Sequence, residues 1–117
     1  PPIAIPGMSR NSFSMKMAGQ RGYQPYAHCL IPGNVVADQW QTYAAAANEV
    51  GRTPNRADFK VARSIFLADT TEEALKRVRK NSLGRNYEYI GGLFDKGLGR
   101  RIYKRDLDMP DAQCQLD

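Results

Sequence analysis

The chain is poor in the residues that metal and nucleophile chemistry draw on. Its 117 residues include two cysteines, Cys29 and Cys114, and a single histidine, His28. Two separated cysteines make no disulfide framework, and with one histidine they cannot complete a zinc ligand set, so no metal is expected. Scarce, isolated thiols fit a reducing cytoplasm. No apolar run approaches the roughly 20 residues that span a bilayer, and no signal-peptide pattern opens the chain, so no membrane association is expected. Charge of one sign is in modest excess. The net charge is +5, gathered in Lys76, Arg77, Arg79, Lys80 and Arg85 and again in Arg100, Arg101, Lys104 and Arg105. No nucleic-acid-binding motif accompanies these clusters, so a nucleic-acid partner is not expected. Ala74, Leu75 and Val78 mark an apolar helix face behind the first cluster, which makes its charges a solvated side.

What is present is one domain's worth of α/β patterning. Pro2 to Gly22 organises it. Ile3 and Ile5, flanked by prolines, read as a brief, well-buried strand. Gly7 breaks the run, and the polar Ser9, Asn11 and Ser12 follow. Helical spacing begins at Phe13, with Met17 and Ala18, and stops at Gly22. A strand, a glycine turn and a serine-rich helix start place backbone N–H groups and hydroxyls at the positive end of a helix dipole. Such a corner accommodates a phosphate or another anion; equally, Ser9, Asn11 and Ser12 serve as helix caps. The opening Pro-Pro, running straight into a strand, reads as part of a longer protein.

A second strand is expected over 24–30, with Tyr26, His28 and Leu30 on one face. A lone strand histidine is more commonly a packed residue than a catalyst. Asn34 is placed to cap a helix whose stripe is Val36, Trp40, Tyr43, Ala47 and Val50, closed by Gly51. Trp40 belongs to that stripe and so to the core. Thr53 to Arg56 reads as a turn. The density of apolar residues over 59–68 predicts a third strand covered on both faces, in which Arg63 either snorkels at an edge or meets an acidic group. Thr70 and Glu73 match a capping box for a third helix running to about Ser82. Alternating strands and helices with short links predict parallel βαβ units. Beyond Gly84 regularity weakens. Residues 86–90 are compatible with one helical turn, Gly91, Gly92, Gly97 and Gly99 mark a loop, and the acidic end from Asp106 has no period. The chain therefore divides into 1–83, three βα units, and 84–117, a glycine-rich loop and acidic tail.

Three segments, PPIAIPGMS with a helix ending AGQRG, then DQWQTYAAAANEVGR, then FKVARSIFLADTTEEA, resemble the luciferase-like flavin-dependent monooxygenases. These fold as (β/α)8 TIM barrels of roughly two to three times this length. The resemblance covers about residues 1–80 and implies strands five to seven of the barrel. It implies that the first turn binds the FMN phosphate through Gly7, Met8, Ser9, Asn11 and Ser12. His28 to Ile31 and Leu67 to Asp69 would face the same rim, and the stretch after residue 84 would be a lid. The implied activity is oxygenation of an organic substrate with O2 and reduced FMN from a separate flavin reductase, with no residue of this segment marked as catalytic. A deazaflavin-using oxidoreductase of the same fold is the alternative within the class. A non-enzymatic basic interaction module is the alternative outside it. Three parallel strands cannot close a barrel, so two strand edges and one sheet face should stand open and favour self-association.

Overall fold

The computed structural model describes residues 1–81 together with Arg85 and Tyr89. The second basic cluster, Cys114, the glycine-rich stretch and the acidic tail lie outside the described residues, as do most of the positions expected to form a helical turn at 86–90. The chain divides into two compact units, Pro1–Arg63 and Ser64–Asp117.

In the first unit the elements are β1 (Ala4–Gly7), α1 (Phe13–Arg21), β2 (Gln24–Ala27), α2 (Gly33–Glu49), a 3-10 turn (Arg56–Asp58) and β3 (Lys60–Val61). The sheet has the order β1-β2-β3 and is parallel throughout. Gly7 aligns with Ala27, and Ala27 with Val61, so the three strands end at one rim. Consecutive crossovers in an unreversed strand order place α1 and α2 on one face of the sheet, the pattern of a partial (β/α)8 barrel.

The core lies between those helices and the sheet. Met15 and Ala18 of α1 and Tyr43 of α2 form its centre, with Ile5, Tyr23, Trp40 and Phe59 packed around them. Gly19 sets how closely the helices approach: a Cβ there would collide with the Tyr43 carbonyl and lie 2.8 Å from the Ala47 amide nitrogen. The alanines of α2 complete this fit, Ala46 and Ala47 being buried. Helix α1 ends at Gly22, whose φ of 72° is left-handed, and Tyr23 N–H closes the turn on the Ala18 carbonyl at 2.9 Å. Trp40 sits edge-on to Phe59, with ring centroids 5.9 Å apart, and under the Arg56 guanidinium at 5.1 Å.

Several elements differ from the sequence expectation. Helix α1 buries Met15, Ala18 and Gly19, leaving Phe13 77% exposed. In α2 the buried line runs through Val35, Gln39, Tyr43, Ala46 and Ala47, one position from the expected stripe at its start, so Val36 and Trp40 are half-buried and Val50 is exposed. Pro32, not Asn34, holds the N-cap position of α2. Ile3 is 56% exposed, so β1 is less buried than its apolar run implied. Strand β2 stops at Ala27 because the ring of His28 folds back, its Nδ1 accepting from Leu30 N–H at 3.2 Å. That shortens β3. After Ala62 N–H donates to the Ala27 carbonyl at 3.0 Å, no further β2 backbone is available to pair with. The expected strand over 59–68 is therefore two residues long, and Ile65 and Leu67 are 77% and 86% exposed rather than covered. Among the described residues Arg63 meets no acid; it donates to the Ile31 carbonyl at 2.8 Å.

The second unit is described through α3 (Thr71–Val78). Thr70 Oγ1 accepts from Glu73 N–H at 3.2 Å, the expected cap, and Arg77 pairs with Glu73 one turn earlier. Helix α3 ends at Val78, short of Ser82. Lys76, Arg77, Arg79, Lys80 and Arg85 are exposed, while Ala74, Leu75 and Val78 are half-buried, as a solvated basic side requires. Among the described residues no helix is long and apolar enough to cross a membrane.

Two outcomes follow for the full-length protein. Gly19→Ala forces α1 and α2 apart and should cost about 1–3 kcal/mol of stability, the range for overpacking, read from denaturant midpoints. Burial, reinforced by Asp58 and opposed by Arg52, raises the Tyr43 phenol above its ordinary value of 10.0. The unfolded chain therefore ionises first, so the stability tied to this proton is intact below about pH 10 and falls as pH rises through the folded value. Tyr43→Phe should flatten that alkaline decline in unfolding curves.

Candidate phosphate-binding turn

The turn from β1 into α1 stands at the strand-end rim. Gly7 enters it buried, with no room for a side chain: a Cβ would lie 2.8 Å from the Met15 methyl and 3.0 Å from the Gln39 amide. Met8 is half-buried, Ser9 and Asn11 are exposed, and Ser12 is 5% exposed. All five residues singled out in the sequence thus fall within one short connection.

Their bonding bears on both the capping and the anion reading. Ser12 occupies the N-cap position with extended backbone, yet its side chain makes no cap hydrogen bond, and no acidic residue stands in the first turn of α1. The Ser12 hydroxyl instead pairs with the Ser14 hydroxyl at 2.9 Å, and Ser14 Oγ donates to the Pro6 carbonyl at 2.6 Å. The first amides of α1 therefore keep the positive end of the helix dipole free of a side-chain cap. Among the described residues none of the five side chains bonds the first amides of α1, although Ser12 holds the N-cap position.

Two residues of α2 complete the turn, and the sequence reading missed both. Asp38 Oδ2 accepts from the Asn11 backbone N–H at 2.6 Å, and Asn11 is left-handed at φ 46°. Gln39, fully buried, donates from Nε2 to the Ser9 carbonyl at 3.2 Å, while its Oε1 is buried without a partner among the described residues. A polar side chain on the buried line of an otherwise apolar helix was the available signal. Leaving such an acceptor unpaired costs about 1–3 kcal/mol, so packing alone does not explain a glutamine here.

At the neighbouring strand end, His28 is half-buried and held by the Leu30 amide, with Cys29 Sγ 3.9 Å from its Nδ1. Cys29 is a free thiol. Leu67 to Asp69, expected at the same rim, do not follow a strand end, because β3 finishes at Val61. No group of three metal-ligating side chains gathers among the described residues.

The chain has relatives among monooxygenases. The chain is 41% identical over 122 aligned positions to 2,5-diketocamphane 1,2-monooxygenase 1 of Pseudomonas putida, covering 98% of this chain and 32% of that one. It belongs to the luciferase-like flavin-dependent monooxygenases. It is also 40% identical to 4-hydroxyprotoasukamycin monooxygenase of Streptomyces nodosus subsp. asukaensis, over 63% of this chain and 21% of that one. Among solved structures, it matches the oxygenating constituent of 3,6-diketocamphane monooxygenase from the CAM plasmid of Pseudomonas putida, a type II Baeyer–Villiger monooxygenase in complex with FMN. That match has a TM-score of 0.71 and 35% identity, over 80% of this chain and 26% of the other. No family model matches the sequence. The chain spans about a third of the length of the curated relatives it matches most fully.

The left-handed backbone at position 11 can be tested apart from any ligand. Asn11→Gly should hold or slightly raise the melting temperature of the full-length protein. Asn11→Val, a β-branched residue at positive φ, should lower stability by about 1–2 kcal/mol.

Proposed function

We propose that the full protein is an FMN-dependent monooxygenase in which this segment supplies the turn that binds the flavin phosphate. The observation that carries the proposal is the uncapped start of α1 at the strand-end rim, behind Gly7 and beside the Ser9 hydroxyl. The residues present fit a phosphate. Backbone amides of Met8, Ser9 and the first turn of α1, the Ser9 hydroxyl and the side chain of Asn11 would hold it; the Asn11 amide is engaged by Asp38, the Ser12 hydroxyl by Ser14, and Gly7 by its pairing with β2. When bound, reduced flavin supplies the electrons that activate O2, so that one oxygen atom enters the organic substrate and the other leaves as water. The segment's own part is to anchor and orient; no described side chain in it is assigned a proton transfer.

The FMN complex of the structural neighbour favours FMN over a deazaflavin, which would offer the same turn a phosphate. The names of the diketocamphane relatives make cyclic ketones the first substrates to try. A separate flavin reductase would deliver reduced FMN, and the cytoplasm would be the site of action. The stretch from residue 84 would act as a lid. The open edges and uncovered face of the three-stranded sheet would be taken by the remaining barrel strands in the full protein, and by self-association in the isolated segment.

The test uses the full-length protein with an NADH-dependent FMN reductase, a cyclic ketone and isotopically labelled O2. One labelled oxygen atom should appear in the product. Ser12→Asp, which sets a carboxylate where the phosphate would lie, should weaken FMN binding by about tenfold or more while sparing riboflavin. Unlabelled product, or equal loss of FMN and riboflavin, would overturn the reading.

A further inference from the structure

We propose that Asp38 is a positioning residue for the phosphate turn, acting as a hydrogen-bond acceptor rather than through its charge. The proposal rests on the phosphate reading of that turn. Asp38 and Gln39 are consecutive on α2, and both bind the backbone of the same five-residue connection, Asp38 at the Asn11 amide and Gln39 at the Ser9 carbonyl. The two bonds bracket Arg10 and hold Asn11 in its left-handed conformation. They use only backbone atoms of the turn. The Ser9 side chain and the first amides of α1 are left to face a ligand. Gln39 is retained fully buried with Oε1 unpartnered among the described residues, and its amide packs against Gly7 where the turn begins.

A carboxylate next to a phosphate site is electrostatically unfavourable to the ligand. Its value must therefore lie in the shape it imposes. A preorganised turn binds more tightly than one that must be ordered on binding. The amide of Asn accepts from the same N–H without the charge, which separates the two effects.

Dissociation constants of oxidised FMN and riboflavin are measured by flavin fluorescence for the full-length protein and its Asp38→Ala and Asp38→Asn variants. Riboflavin lacks the phosphate and serves as the internal control for a folded isoalloxazine site. Asp38→Ala should weaken FMN about tenfold, the worth of one hydrogen bond, and leave riboflavin within about twofold. Asp38→Asn should bind FMN at least as tightly as the unaltered protein. Unchanged FMN affinity in Asp38→Ala, an equal loss of riboflavin, or a fall in Asp38→Asn matching that of Asp38→Ala would overturn the proposal while leaving the phosphate reading intact. An unaltered protein that binds riboflavin as tightly as FMN would instead remove the phosphate reading itself.

Discussion

The near contact of two backbones at Gly19 governs the first unit. Because α1 carries no side chain there, the Tyr43 carbonyl and the Ala47 amide of α2 come down onto it, and the helices run side by side with their starts at the same rim. One turn toward that rim, Met15 and Gln39 meet over Gly7; one step further, Asp38 reaches Asn11. A wider spacing would carry Asp38 and Gln39 out of reach of the turn. The candidate site therefore depends on a packing contact at the far end of α1, made through small residues.

The periodic parts of this arrangement were legible in the sequence. Alternating strands and helices, the stop at Gly22 and the Thr70 cap follow from local chemistry, and the structure has each of them. The placement of Gly7, Met8, Ser9, Asn11 and Ser12 on one turn was legible for the same reason, since a glycine break between a strand and a helix leaves little freedom. Stripe membership was less so. Phe13 and Met17 satisfy helical spacing, yet Met15 faces the core, because tertiary contact with α2 selects the face and a nine-residue helix offers more than one.

The third strand shows the opposite limit. Seven apolar residues between 59 and 68 carry strong strand character, but a parallel strand lasts only as long as its partner. His28 turns β2 away after Ala27, so β3 loses its template after one further hydrogen bond. Nothing within residues 59–68 encodes that limit. Asp38 and Gln39 escaped notice for a related reason. Their role is set by a connection some thirty positions earlier, and a polar residue on an apolar line signals only that something polar lies opposite it.

The pairing scheme also bears on how such a chain comes together. Ala4–Gly7 joins Gln24–Ala27, and Gln24–Ala27 joins Lys60–Val61, so each strand of the unit meets the next one made. Each closure spans a single βα unit, and its entropic cost grows only slowly with length. Successive βα steps of this kind can accrete in the order of synthesis, each new helix settling beside the last while later strands are still being translated.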